Sequence, residues 1–302
     1  PSITKIFLLP IMLLTAAKVR RRFGPDVIHA HLHEGAVVAR MLHVLRLRTP
    51  TIVDLQGSLV GECVQHGFVR EGSIGYRLLS LIERRIALWS TIVTQSDSMY
   101  QEFSRMRGSS ENVHNVLDGV DCDRFKPIPP KIDLANQFGI DLNRPRLIFM
   151  GLLEEYQGVD LLIQAFAQLV TTGHDLQLIV VGYPNIEKYK TQALELGVES
   201  RIFFLGRVDY FQIQEYLSLG SIAVAPKISV TEGDGKIYNY MAMGLPVVAF
   251  ERSVSRELLG EFGVYANEIS AEALREAIDR LLMNPIMVSE FGSELRNRVV
   301  RG

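Results

Sequence analysis

The feature that most constrains the fold of this chain is a repeated alternation of short apolar runs with longer stretches of helical periodicity. Continuous apolar runs of this kind are typical of parallel strands that are buried on both faces by helices. The alternation therefore predicts an α/β chain. The predicted strands are 27–31, 51–55, 92–94, 113–116, 147–150, 177–181, 202–205, 222–225 and 247–250.

A proline-rich segment divides this series in two. Pro127, Pro129 and Pro130 break strand pairing, as a linker does. We predict two Rossmann-like domains with parallel sheets that face each other across a cleft. The N-terminal domain covers 1–126 and is incomplete, the second covers 127–285, and a C-terminal helix at 286–302 can cross back to the first. Ligands of such sheets bind beyond the carboxyl ends of the strands.

Composition excludes several classes of protein. Hydrophobic residues at 47% and charged residues at 22% exclude a disordered or collagenous chain. A net charge of −2 argues against a nucleic-acid partner. Cys63 and Cys122 are too few for a disulfide scaffold and fit a reducing compartment, so we expect a cytoplasmic protein.

The segment 6–22 leaves two interpretations open. It is apolar over 6–17 and then carries Lys18, Arg20, Arg21 and Arg22. One interpretation is a helix that leads into a buried strand. The other is a basic amphipathic element that contacts an anionic membrane at the inner face as a peripheral protein. No apolar run reaches the about 18 residues that span a bilayer.

The loop at 231–236, with the sequence TEGDGK, is the sharpest candidate site. It follows a predicted strand, and a predicted helix begins at Lys236. Gly233 and Gly235 permit close backbone approach, and a helix N-terminus with a lysine suits a phosphate. In the alternative interpretation the glycines form a tight turn, and Glu232 and Asp234 only cap the helix.

The stretch from this loop to Val248 resembles the donor-binding motif of GT-B glycosyltransferases of the family 4 type. Other segments resemble motifs of that family in the same order along the chain. They are PDVIHAH at 25–31, VTQS at 93–96, DGVD at 118–121 followed by RFKP at 124–127, and FLGRV at 204–208.

The resemblance implies a retaining transfer from a nucleotide diphosphate-sugar, with no bound metal and no cofactor. It implies that the second domain holds the nucleotide and the first holds the acceptor. By position in the motifs, Glu232 is the acidic residue near the donor sugar and Asn239 stands at a ribose-binding position. Arg207 and Val208 lie by the base, and His31 faces the transferred sugar.

The sequence departs from the family pattern at several positions. The second carboxylate of the motif is absent, since Asn239 is seven residues after Glu232 and Tyr240 is eight after it. The family's two diphosphate cations fall on Leu152 and Gln157. Gln157 is kept as a donor-binding candidate, and we expect Lys236, with Arg207 second, to supply the missing charge.

Two further features bear on these expectations. Family members have about 70–90 more residues before the PDVIHAH motif, so we interpret the chain as lacking its N-terminal strand–loop region. His29, His31 and His33 alternate and would share one face of a strand. Because no carboxylate or cysteine cluster accompanies them in sequence, we expect no metal site.

The predicted function is transfer of a sugar to a glycan or lipid-linked acceptor in cell-surface polysaccharide or glycolipid assembly. Its chemistry is positioning and electrostatic stabilisation of a departing diphosphate. Two alternatives stay open. One is a non-catalytic paralogue that acts as a binding subunit, which the lost diphosphate cations favour. The other is a nucleotide-sugar epimerase of GT-B architecture, which would need a pair of acid–base carboxylates.

Overall fold

The computed structural model describes residues 4–45, 47–65, 67–229 and 233–301, without the side chains of residues 4–7 and 65. The contacts between Cα atoms separate the chain into two compact units, with the division between Leu117 and Asp118. This division lies nine residues before the predicted boundary at 126, and the proline-rich segment therefore belongs to the second unit.

The first unit has a parallel sheet with helices between its strands. Its described strands have the order β1-β2-β3-β4, and every pairing is parallel. The buried core contains Ala36 from α2, Ile86 from α4 and Phe103 from α5, packed on the strands. The elements are α1 (Thr4–Phe23), β1 (Ile28–His31), α2 (Leu32–Val44), β2 (Thr51–Leu55), α3 (Leu59–Gln65), α4 (Ile74–Trp89), β3 (Thr91–Thr94), α5 (Asp97–Arg107) and β4 (Val113–Asn115).

The second unit is built around a longer parallel sheet of order β7-β6-β5-β8-β9-β10. Leu147 and Phe149 of β5 enter one hydrophobic cluster and Ile148 enters the other, so the sheet buries both of its faces. Its elements are α6 (Ile132–Phe138), β5 (Arg146–Leu152), α7 (Val159–Thr171), β6 (Gln177–Tyr183), α8 (Ile186–Glu195), β7 (Ile202–Gly206), α9 (Ile213–Leu217), β8 (Ile222–Ala225), α10 (Lys236–Ala242), β9 (Val247–Phe250), α11 (Ser253–Leu259), β10 (Val264–Ala266), α12 (Ala271–Leu282) and α13 (Pro285–Arg301).

The structure confirms the α/β class with parallel sheets, and each predicted strand is found to within two residues at either end. The final helix is present as α13 and packs against α10 and α12 of its own unit. The expectation that this helix crosses back to the first unit stays a prediction.

Residues 6–22 lie on one helix, α1, which confirms the helical part of the first interpretation. α1 packs on α2, while Leu8, Ile11 and Leu14 expose much of their side chains. Among the described helices, none combines the length and the apolar character that crossing a membrane requires. Contact of α1 with a membrane surface stays a prediction.

Candidate functional site

The order of the second sheet defines where a ligand would bind. β5 is the first strand of this unit along the chain. The chain then proceeds through β6 and β7 to one side and through β8, β9 and β10 to the other. Crevices of open parallel sheets form at such a reversal of strand order, beyond the carboxyl ends of the strands. The loops that follow β5, β8 and β9 are therefore the candidate site.

The loop after β5 is held close to the loop after β8. Gly158 has a φ of 70°, and a Cβ added there would overlap the carbonyl oxygen of Pro226. Only glycine fits this approach. A single turn of 3₁₀-helix at Glu155–Gln157 precedes it and places the Gln157 side chain in the interior.

Lys236 is the centre of a buried polar cluster at this edge of the sheet. Its Nζ lies 3.0 Å from Asp234 Oδ1, donates a hydrogen bond to Gln157 Oε1, and lies 5.2 Å from the centre of the Phe149 ring. The side chains of Lys236 and Asp234 are 6% and 3% exposed. Sequence reasoning placed Lys236 and Gln157 in one site, and the structure brings them into contact.

Two further cations act on Lys236. Burial lowers the pKa of the Lys236 ammonium below its ordinary value, and the charges of Lys227 and Arg252 lower it further, while Asp234 opposes the shift. Lys227 and Arg252 are both buried. Lys227 follows β8, and Arg252 follows β9, so neighbouring strands deliver them to the same edge. The cluster thus combines three basic residues with one acidic residue among its described members.

The surroundings of the cluster also contain buried polar atoms that make no hydrogen bond within the described part of the chain. Such atoms are costly unless a ligand or water satisfies them. Here they belong to Asp234, to α10 and α11, and to the segment that follows β8. They are Ser229 Oγ, Asp234 Oδ2, Asn239 Nδ2 and Ser255 Oγ.

The remaining predicted donor residues have different outcomes. Glu232 lies outside the described residues, and Gly233 is the first described residue after that gap. Gly235 has a φ of −53°, and a Cβ there would meet no atom within 4 Å, so the folded chain itself does not require glycine. Arg207 is exposed at the end of edge strand β7, 5.0 Å from the Tyr183 ring, while Val208 is half-buried.

The carboxylates that follow β5 are engaged by other groups. Glu155 accepts a hydrogen bond from Lys188, which lowers the pKa of the Glu155 carboxyl. Glu154 accepts one from Asn185. Leu152 is exposed and contributes no polar group.

The histidines of the first unit do not all share one face. The backbone takes a φ of 62° at Leu32, where β1 ends and α2 begins, so the alternation predicted through His33 is wrong. His33 is buried, with Nε2 3.3 Å from Glu83 Oε1. His29 and His31 stay on the strand, and His31 Nδ1 is 3.1 Å from Asp54 Oδ2.

Sequence reasoning missed three residues that the structure brings to these clusters. Lys227 and Arg252 are the first basic residues after two correctly predicted strands, and that position was the available signal. Asp54 lies opposite His31 in the parallel pairing of β1 with β2. Both of these strands were predicted, but their register was not.

The whole length of the chain resembles known glycosyltransferases. Residues 131–298 match the family described as "Glycosyl transferases group 1", and residues 4–118 match the "Glycosyl transferase 4-like domain". An alpha-D-kanosaminyltransferase of Streptomyces kanamyceticus is 24% identical over 95% of this chain and 74% of that protein. A GDP-mannose-dependent phosphatidylinositol monomannoside mannosyltransferase of Mycolicibacterium smegmatis is 26% identical over 72% of this chain, which covers only 61% of that relative.

A solved structure gives the same fold. The structure of Anabaena HepE in complex with UDP-glucose superposes with a TM-score of 0.78 at 19% identity, over 97% of this chain and 77% of that one. The chain belongs to the glycosyl transferase group 1 family, and it is a glycosyltransferase of GT-B architecture and of the hexosyltransferase type. The predicted fold family and enzyme class are thereby confirmed.

Proposed function

We propose that this chain is the donor-binding part of a retaining hexosyltransferase that uses a nucleotide diphosphate-sugar. The observation that carries the proposal is the buried group of Lys236, Lys227 and Arg252 at the reversal point of the second sheet. The diphosphate of a nucleotide diphosphate-sugar carries about two negative charges, and burying it without compensation is unfavourable.

The electrostatics of the cluster favour an anion. Desolvation and two neighbouring cations disfavour the charged form of Lys236, and Asp234 is the carboxylate paired with it. A diphosphate beside the ammonium would stabilise its charge, because opposite charges at this distance interact strongly in a buried site. Lys236 would then exchange part of its interaction with Asp234 and Gln157 for phosphate oxygens.

The same cluster weakens the alternative of a non-catalytic binding subunit. That alternative rested on the absence of basic residues at positions 152 and 157. Lys227 and Arg252 supply basic groups from two other strands, and Gln157 retains contact with Lys236. The loss of the usual cations is therefore compensated in space.

The nucleoside is proposed to bind next to the Lys236 cluster. Asn239 Nδ2 is a buried donor without a hydrogen bond among the described residues, which suits a ribose hydroxyl. Arg207 and Val208 at the end of β7 are proposed to lie along the base. Glu232 and His31 remain the proposed catalytic residues, with Glu232 beside the developing charge of the sugar.

The relatives support the class of donor and acceptor. The Mycolicibacterium protein is a GDP-mannose-dependent enzyme that acts on a phosphatidylinositol mannoside, and the HepE structure holds UDP-glucose. We therefore propose UDP- or GDP-hexose as the donor and a glycan or lipid-linked acceptor in cell-surface polysaccharide or glycolipid assembly. The exposed apolar side chains of α1 beside Arg20, Arg21 and Arg22 would suit a membrane-bound acceptor.

The experiment compares alanine variants of two arginines that lie four residues apart in the sequence. Arg252→Ala should weaken UDP or GDP binding by about 10- to 150-fold, the range for a lost charged hydrogen bond. Arg256→Ala is the control, because Arg256 is exposed and pairs with Glu251. Binding of the uncharged nucleoside should not change in either variant.

The transfer reaction is tested with a panel of nucleotide-sugars and product analysis. Release of nucleoside diphosphate with retention of the anomeric configuration supports the proposal. Equal binding of diphosphate by Arg252→Ala and Arg256→Ala, or inversion of the anomeric centre, would contradict the corresponding part of it.

A further inference from the structure

A second polar group, which includes the proposed catalytic residue His31, is formed entirely by residues of the first unit. His29 and His31 project from one face of β1, because alternate residues of a strand share a face. His31 pairs in register with Asp54 of β2, which places the carboxylate on the same face. The strand pairing thus brings two imidazoles and one carboxylate together from segments 23 residues apart.

The distances among these three side chains fit a small cation. Asp54 Oδ2 lies 3.1 Å from His31 Nδ1 and 4.0 Å from His29 Nε2. One ligand atom from each residue lies within 4.8 Å of the other two. Ligands about 2.0–2.1 Å from a tetrahedral zinc ion are roughly 3.4 Å apart, so shifts of about 1 Å or less would complete the geometry.

Burial explains why a cation would be favourable. Asp54 is held in the sheet and is 8% exposed, and its Oδ1 makes no hydrogen bond among the described residues. A buried carboxylate with an unsatisfied oxygen is destabilising. The side chains of His29 and His31 are 54% and 61% exposed, so the rings can rotate and the site is open to solvent.

We propose that His29, His31 and Asp54 bind a divalent transition-metal ion, with zinc as the ion that best fits two imidazoles and one carboxylate. Three protein ligands leave a fourth position for water or for an oxygen of a bound molecule. The sequence pattern alone predicted no metal here, because the carboxylate is distant in sequence.

Metal binding would change the hydrogen-bonding character of His31. Without the ion, a neutral His31 donates from Nδ1 to Asp54 Oδ2, which leaves Nε2 as an acceptor. With the ion on Nδ1, the proton resides on Nε2, which becomes a donor. The metal would therefore convert the solvent-facing nitrogen of His31 from an acceptor to a donor.

The test uses the full chain without an affinity tag, after dialysis against a chelator. Co²⁺ is added while the visible absorption is followed, and Zn²⁺ is then used to displace it. We expect one ion per chain and the intense bands of a four-coordinate site. His29→Ala and Asp54→Asn should each weaken metal binding by at least about 10-fold. Losing a residue that only hydrogen-bonds to a metal ligand already costs about that much, and losing a ligand itself should cost no less.

The control is His114→Ala, which removes an exposed histidine from β4 of the same unit and should leave the affinity unchanged. Nitrogen-15 spectra of the histidine rings should also show His31 changing to the Nε2-protonated form when zinc is added. Because His29 is exposed, its variant should fold even if Asp54→Asn does not. Failure of the folded chain to take up one ion, or uptake unaffected by His29→Ala, would overturn the proposal.

Discussion

Removing one partner of the Lys236–Asp234 ion pair should destabilise the second unit at least as much as removing both. The two charges are 3.0 Å apart, and both side chains are almost fully buried. At an effective dielectric constant of about 20, the attraction at this distance is about 5.5 kcal/mol, much of which offsets the desolvation of the two groups.

A double-mutant cycle with Lys236→Met and Asp234→Asn measures this coupling. Each single variant leaves an unpaired buried charge, and we expect a loss of about 3–5 kcal/mol in the free energy of unfolding. The double variant should lose no more than either single one, which gives a coupling energy of about 3 kcal/mol or more. Asp234→Asn should be the costlier single change, because Lys227 and Arg252 remain near the unpaired Lys236.

The assay is urea denaturation followed by far-ultraviolet circular dichroism. The only tryptophan, Trp89, lies in the first unit, and its fluorescence reports on that unit alone. The control pair is Glu187 with Lys190, an exposed ion pair on α8 at 2.9 Å, where Lys190→Met should change stability by less than about 1 kcal/mol. Additive effects of the two buried changes, or losses as small as that of the control, would show that the two charges are not coupled.

Three further predictions concern the same unit. Gly235→Ala should raise the free energy of unfolding by about 0.4–1 kcal/mol, because the φ of Gly235 suits any residue. The same change should weaken nucleoside diphosphate binding in a titration, and unchanged affinity would show that no ligand approaches this backbone. Gly158→Ala should lower the free energy of unfolding by about 1–3 kcal/mol more than Gly173→Ala, since both have positive φ but only the first would overlap Pro226; equal losses would contradict the close approach. Burial lowers the pKa of Lys236 in the folded chain, so at pH values approaching 10.5 the unfolded chain holds more protons than the folded chain does. The free energy of unfolding of wild type, relative to that of Lys236→Met, should therefore rise with pH over that range. A constant difference would contradict the direction of the shift.

The strands could be predicted because their burial requires continuous apolar runs. Runs such as 222–225 and 247–250 are found as predicted, since buried parallel strands leave a strong signal in the sequence. β10, a three-residue strand at the edge of the second sheet, was not predicted. The end of β1 was also missed, because a left-handed backbone at Leu32 is not indicated by its residue type.

The candidate site was predictable only where its residues belong to motifs that resemble those of the family. Lys236 and Asp234 belong to the TEGDGK loop, and Gln157 was named from the family pattern. Lys227 and Arg252 join them through the order of the strands, and no local pattern in the sequence contains that order. A cluster assembled from residues of several strands becomes visible only in three dimensions.

The proposed function depends on one claim, that the cations at the reversal point of the second sheet hold the donor diphosphate. It is tested most directly by a crystal structure of the chain with UDP or GDP, using whichever raises the melting temperature more. We predict phosphate oxygens within hydrogen-bonding distance of Lys236 Nζ, beyond the carboxyl ends of β5 and β8. An ordered diphosphate elsewhere, with Lys236 still bound only to Asp234 and Gln157, would contradict the claim.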